Sequence, residues 1–208
     1  MTVAAPVVYI VDDDASVRKS LTRLVAAAGY RVHAFASARE YLAREPATGP
    51  SCLVLDVRMP GLTGLDLQKA LAGAEHRTAI VFITGHGDIA MSVAAMKAGA
   101  VDFLTKPFAA KDLLDAIHRA LAKDTRDLGT EARVAEIQQR VKLLTPRETQ
   151  VFALVVTGML NKQIASELGV CEKTVKVHRA RVMEKMRAGS VAELVRLADG
   201  VGVTVPKA

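Results

Sequence analysis

Apolar residues in the first half of the chain are grouped in five short runs rich in β-branched side chains, at residues 7–11, 31–35, 52–55, 79–83 and 101–104. Runs of this length and composition read as strands. Between them the apolar positions recur every three or four residues. The clearest case is Val17, Leu21, Leu24, Val25 and Ala28, closed by Gly29, and further helices are predicted at 37–42, 64–72, 89–98 and 111–121. Strand and helix therefore alternate five times. That rhythm predicts an α/β domain in which a parallel sheet is covered by helices on both faces through right-handed crossovers.

The pattern changes near Lys123. Residues 123–128 are polar except for Leu128 and precede Gly129, after which Val134, Ile137, Val141 and Leu144 return at helical spacing. This predicts a partly helical linker over 123–142 between a first domain, 1–122, and a second, 143–208. An apolar stripe on a connecting helix has to be covered. The expected cover is the first domain, which would thereby restrain the second. Thr145-Pro146-Arg147-Glu148 combines a capping residue, a proline at the first helical position and a Glu three residues after the Thr, so a helix begins there. It should run to about residue 157, break at Gly158, and be followed by helices near 162–168, 172–186 and 191–198.

Composition narrows the classes. With 24% charged and 50% apolar residues over 208 positions, the chain has the balance of one large or two small globular domains, and collagen, disorder and disulfide-built scaffolds are excluded. Cys52 and Cys171 lie far apart, as expected of reduced thiols in a cytoplasmic protein. The apolar start at 7–11 is too short for a signal peptide or a membrane span and runs into three aspartates, so no membrane partner is expected. The net charge of +6 is unevenly placed: residues 1–122 carry 13 Lys+Arg against 12 Asp+Glu, residues 123–208 carry 15 against 10. Between Lys173 and Arg187 there are six basic residues and one acid, Glu184. Such a run is either a solvated helix face or the footprint of a polyanion partner.

The candidate chemistry sits at the strand ends. In a doubly wound sheet the carboxyl ends of the strands form one rim, where ligands bind. The first predicted strand runs into Asp12 and Asp13, the third into Asp56, the fourth into Thr84 and the fifth into Thr105, Lys106 and Pro107. Three carboxylates on one rim repel one another unless a cation neutralises them, and an all-oxygen donor set with room for a phosphate suits Mg²⁺. The hydroxyl of Thr84 and the ammonium of Lys106 add a donor and a positive charge suited to phosphoryl oxygens, so phosphoryl transfer to a carboxylate is the reaction the set supports. Any one acid after a strand can merely solvate a loop; this combination at four strand ends points to a site.

These residues resemble a known family. Asp12-Asp13, Asp56 followed by Val-Arg-Met-Pro-Gly, Thr84-Gly85 and Lys106-Pro107-Phe108 are similar, over residues 6–122, to the receiver domain of two-component response regulators. The resemblance implies a flavodoxin-like five-stranded sheet and Asp56 as the phosphoacceptor for a sensor histidine kinase. It also implies Mg²⁺ held by Asp12, Asp13, Asp56 and the backbone carbonyl of Arg58, with Thr84 and Lys106 on the phosphoryl group. Phe103 is then the aromatic switch, turning inward with Thr84 on activation, and Lys106-Pro107 a cis bond. Asp14 adds field, although Asp13 and Asp14 could exchange roles. The lifetime of the phosphoryl group is expected to depend on Arg58 and His86. Phosphorylation is expected to drive a homodimer through the fourth helix and fifth strand, including Val93, Lys97 and Val101. The chain accepts a phosphoryl group and loses it by autodephosphorylation but is otherwise not an enzyme.

The basic segment follows a second plan. A helix, a short turn containing Gly169 and a longer basic helix make a helix-turn-helix. On the longer helix Val175, His178, Val182 and Met186 form an apolar-leaning face, while Lys173, Lys176, Val177 and Ala180 form the opposite one, small and basic as groove approach requires. Leu144-Thr145-Pro146-Arg147-Glu148, Asn161-Lys162-Gln163-Ile164-Ala165 and Lys173-Thr174-Val175-Lys176-Val177-His178 resemble the LuxR-type DNA-binding domain. The whole chain is thus similar to FixJ-type members of the NarL/FixJ response regulators. That implies a transcriptional regulator, read as an activator, that binds double-stranded DNA at two half-sites through Lys162, Lys173, Thr174, Lys176, Val177, Arg179 and Arg181 and engages RNA polymerase. Cys171 departs from the family's usual Ser or Thr cap, which predicts a weaker start to the recognition helix. Aromatic residues at 4% argue against base stacking on single strands. Two rivals remain at this point, a magnesium-dependent phosphohydrolase or phosphotransferase with Asp56 as nucleophile, and a receiver with an RNA-binding antitermination output.

Overall fold

The computed structural model describes residues 5–73, 78–85 and 89–202, and divides into two compact units, 1–129 and 130–208. In the first unit the elements run β1 (Val7–Val11), α1 (Ala15–Ala27), β2 (Arg31–Phe35), α2 (Ala38–Leu42), β3 (Ser51–Asp56), α3 (Gly64–Leu71), β4 (Ala79–Thr84), α4 (Ile89–Lys97), β5 (Asp102–Thr105) and the start of α5 (Ala110–Lys142). The strands pair in parallel in the order β2-β1-β3-β4-β5. This is the doubly wound sheet expected of the apolar runs. Alternate residues of each strand feed two apolar layers. Tyr9, Val11, Leu53, Leu55 and Phe82 pack with Tyr41 and Leu67, and Val8, Ile10, Val54, Val81 and Ile83 pack with Leu21, Val25, Leu113 and Ile117. Each fully buried side chain of this size contributes about 1.5–3 kcal/mol relative to exposure, so the central strands β1, β3 and β4 are the rigid platform on which the rim stands.

Sequence cues place the helix starts. Asp14 caps α1 by accepting from the Ser16 and Val17 amides, Ser37 caps α2, and Thr63 with Asp66 forms a capping box at α3. One difference from expectation concerns α5. The predicted helix at 111–121 continues without a break to Lys142, so the residues expected to form a partly helical linker are helical throughout and the expected boundary after residue 122 falls inside the helix.

The second unit is all-helical: α6 (Pro146–Val156), α7 (Asn161–Leu168), α8 (Glu172–Met186) and α9 (Val191–Gly200). Its core joins Val151, Phe152, Ile164, Val175, Val182, Met186 and Leu194 to Ile137 and Leu144, with Val141 packed against them. Three of the four stripe residues, Ile137, Val141 and Leu144, therefore belong to the core of the second unit. For these three residues the cover is not the expected first domain but the helical unit that follows.

Candidate functional site

The reversal of strand order falls between β1 and β3, and the register sets the acids there. Val11 lies opposite Leu55, so the next residues, Asp12 and Asp56, emerge side by side from neighbouring strands. Asp56 in turn lies opposite Ile83 and Thr84 opposite Thr105, which puts Thr84 and Lys106 on the same rim. Carboxylate oxygens of Asp12, Asp13 and Asp56 all lie within 4.8 Å of one another, with Asp12 and Asp56 buried and Asp13 exposed. Lys106 Nζ sits 2.7 Å from Asp12 Oδ2 and 3.6 Å from Asp56 Oδ1. It is placed by a backbone bond from Lys106 N to Thr84 O at 2.7 Å, beside a cis Lys106-Pro107 peptide.

Asp12 is fully engaged. Its Oδ1 accepts from the Asp14 amide at 2.9 Å, its Oδ2 from Lys106, and its carbonyl from Arg18 Nη1 at 2.7 Å. Asp56 differs. Its Oδ1 is buried without a hydrogen-bond partner, and burial, reinforced by Asp12 and Asp13, raises its pKa to about 6 against the pull of Lys106. Three negative groups facing one ammonium leave a deficit that a divalent cation matches in charge, and the donors are hard oxygens. The residues present fit Mg²⁺. Asp14, the alternative to Asp13, spends its carboxylate on the α1 cap, and hydrogen bonds from Ser16 and Val17 hold its pKa below the usual range.

Arg58 is exposed two residues beyond Asp56, and Thr84 is fully buried. Phe103 is half-buried with its ring 6.2 Å from that of Phe82. His86 lies outside the described residues. Of the expected dimer residues, Val93 and Lys97 are exposed on α4, whereas Val101 is half-buried against the layer that holds α1 and α5. Sequence reasoning passed over two more exposed apolar residues of α4, Ile89 and Met96. Helical periodicity hid them, because α4 carries apolar residues around most of its circumference.

Gly64 holds the floor of the site. A Cβ there would lie 2.3 Å from the Asp56 carbonyl oxygen and 3.1 Å from Val57 Cα, and the Gly64 amide donates to the Val57 carbonyl at 3.0 Å. Gly64→Ala should force the end of β3 to shift, destabilising the first unit by roughly 1–3 kcal/mol and slowing phosphoryl uptake. Calorimetry and a phosphodonor time course check this; an unchanged melting transition would mean the loop absorbs the methyl group.

In the second unit Gly169 ends α7 in the left-handed conformation, with φ 63°, and Cys171 precedes α8 without a side-chain cap bond. The weaker helix start expected of Cys171 thus has a local basis. Its thiol touches the Thr174 hydroxyl at 3.1 Å, which holds its pKa below the usual thiol value. Val175, Val182 and Met186 face the core, and His178 is half-buried with Nδ1 lacking a hydrogen-bond partner. Lys162, Lys173, Lys176, Val177 and Arg181 are exposed, and Thr174 and Arg179 are half-buried. Arg179 Nη1 donates to Asn161 Oδ1 at 2.9 Å, bracing α8 against the start of α7. Leu160, also exposed, was not singled out from the sequence.

Comparison with known proteins matches residues 8–118 to the response regulator receiver domain and residues 142–198 to bacterial regulatory proteins of the luxR family. Among the relatives, Nodulation protein W of Bradyrhizobium diazoefficiens is 50% identical over 198 residues, covering 95% of this chain and 87% of that protein. The transcriptional regulatory protein FixJ of the same species is 43% identical, covering 94% of this chain and 96% of its own. A solved structure of the response regulator StyR superimposes with a TM-score of 0.82 at 46% identity, covering 94% of this chain and 99% of that one.

Proposed function

The chain belongs to the two-component response regulators that join a phosphorylation-controlled receiver to a LuxR-type DNA-binding domain, and from that premise we propose how its own residues carry the signal. The observation that bears most weight is the convergence of Asp12, Asp13 and Asp56 beside Lys106. Asp56 is the nucleophile: a carboxylate oxygen attacks the phosphorus of a phosphohistidine on a sensor histidine kinase, the P–N bond breaks and the imidazole leaves with a proton. Asp12, Asp13, Asp56 and the Arg58 carbonyl hold Mg²⁺, which when bound stabilises charge on the phosphoryl oxygens. Lys106 gives its ammonium to the same oxygens, and Thr84 follows with its hydroxyl. Phe103 then moves into the space Thr84 leaves, the two-state element that the modification biases. Water attack on the acyl phosphate resets Asp56.

The output is binding of double-stranded DNA by α8. Lys173, Lys176 and Arg181 contact phosphates, Thr174 and Val177 face base edges, Lys162 reaches the backbone from α7, and Arg179 fixes the approach angle through Asn161. Phosphorylation favours a homodimer through α4, so the operator has two half-sites, and RNA polymerase is the downstream partner. The protein acts in the cytoplasm; among the described residues no helix is long and apolar enough to cross a membrane. The loops after β1 and β3, residues 12–14 and 57–63, are short, which disfavours a small-substrate phosphohydrolase that must cover its substrate.

Duplex footprinting with and without acetyl phosphate tests this reading: two protected half-sites one or more helical turns apart are expected, strengthened by the donor. Protection of RNA in place of duplex DNA would overturn it. A finer prediction concerns charge. Lys176→Ala should weaken binding to operator and unrelated duplex alike and lower the slope of log K against log salt by about 1, whereas Val177→Ala should weaken the operator selectively. Salt-dependent anisotropy titrations distinguish the two.

A further inference from the structure

We propose that the first unit carries a second ligand site, a cavity at the β2 edge of the sheet that takes a small planar aromatic carboxylate. The cavity arises from the shortness of α2. That helix spans only Ala38–Leu42, and the chain beyond it, with Pro46, Gly49 and Pro50, cannot continue as helix. Residues 44–49 instead wall off a space of about 390 Å³ over the face of β1 and β2. This volume lies within the range of small-molecule sites and accommodates two fused rings.

The floor is aromatic. Tyr9 lies 6.0 Å from His33 and 6.2 Å from Phe35, ring centre to ring centre, with the rings tilted by 31° and 41°; Tyr9 is buried, and His33 and Phe35 offer the reachable part of this aromatic floor. The wall is cationic. The Arg44 guanidinium stacks 4.6 Å from the Tyr9 ring centre and 3.7 Å from that of Tyr41, and its Nε is buried without a hydrogen-bond partner. Arg31 stands exposed on the edge strand beside it. Among the described residues neither arginine forms an ion pair, and Glu45, which also lines the cavity, pairs with neither. Arg44 held against aromatic rings, with Arg31 exposed beside it and neither in an ion pair with Glu45, suits a planar anion whose carboxylate meets the guanidinium and whose ring lies against His33 and Phe35. The cavity lies over β1 and β2 toward the β2 edge of the sheet and shares no residue with the acidic rim. Nothing in the phosphoryl chemistry uses it.

The test is titration of the full chain with 2-naphthoate, followed by calorimetry and by NMR shifts of β1 and β2 amides. One saturable site per chain with a Kd below about 1 mM is expected, with the neutral analogue 2-naphthalenemethanol at least about tenfold weaker. Thr48→Trp, an exposed loop position that fills the cavity from its wall, should abolish binding, and Arg31→Met should weaken it by about tenfold. Asp56→Asn should bind 2-naphthoate as the natural chain does, which separates this cavity from the acidic pocket. Absence of saturable binding, equal affinity for the alcohol, indifference to Thr48→Trp or loss of binding in Asp56→Asn would each overturn the proposal.

Discussion

Asp56→Asn should reduce phosphoryl incorporation from acetyl phosphate to background, a loss of at least about 100-fold, and should leave operator affinity indifferent to the donor. The amide keeps the shape of the side chain and the surrounding contacts of Asp12 and Lys106, so the fold of the rim should survive. What disappears is the anionic oxygen that attacks phosphorus. The prediction separates nucleophile from metal cradle, because Asp12 and Asp13 remain to attract a cation. Their positions make them poor substitutes: Asp12 has both oxygens committed, to the Asp14 amide and to Lys106, and Asp13 is exposed to solvent. Intact-mass spectrometry of both proteins, with peptide mapping of any adduct, decides the matter. An Asn variant that still takes up one phosphoryl group would move the nucleophile to another residue.

The parts legible in the sequence are those in which a residue's chemistry is fixed by its place in an element. Apolar runs of strand length and the residues that directly follow them located the rim, since a parallel sheet brings all strand ends to one side whatever the details. The capping box at Thr145 and the glycine that closes α7 were similarly local. What escaped was set by competition between equivalent partners. Asp13 and Asp14 are the same residue type in adjacent places, and only backbone direction at the start of α1 assigns one to the cap. The stripe Val134, Ile137, Val141 and Leu144 announced burial without naming its cover, because either flanking core could supply it. Residues 123–128, polar except for Leu128, read as a break, yet they contain no proline, and the Lys123–Asp127 pair at 3.2 Å supports the helix across them. Lys185 belongs by composition to the basic run of α8; three-dimensional placement turns it inward.

That inward placement gives the prediction with the largest effect on the second unit. Glu148 is buried, with a side chain 2% exposed, and its Oε2 accepts from Lys185 Nζ at 2.6 Å and from the Thr145 amide at 2.9 Å. Lys185 also donates to the Leu143 carbonyl at 3.1 Å, so one pair ties the start of α6, the preceding turn and the end of α8 together. The Lys185 ammonium, followed by the Thr145 amide, brings the carboxyl pKa down to about 2. A carboxylate with a depressed folded pKa stabilises above its unfolded value, near 4.5, and that contribution is lost as pH falls through the folded value. Lys185 is one-third exposed, which screens the pair and sets the contribution at about 2 kcal/mol rather than the full linkage value. Glu148→Gln should therefore lower the calorimetric transition of the second unit by roughly 10 °C at pH 7, and the gap between variant and natural chain should close between about pH 4.5 and pH 2. Gly64→Ala, which acts on the first unit, identifies which transition is which. Lys185→Met should behave in the same sense with pH: it leaves the buried carboxylate without its ammonium, so its deficit too is largest at neutral pH and shrinks on acidification as Glu148 takes up a proton. A Glu148→Gln deficit that stays constant from pH 7 to pH 2 would mean that packing alone, and not the ion pair, holds α6 to α8.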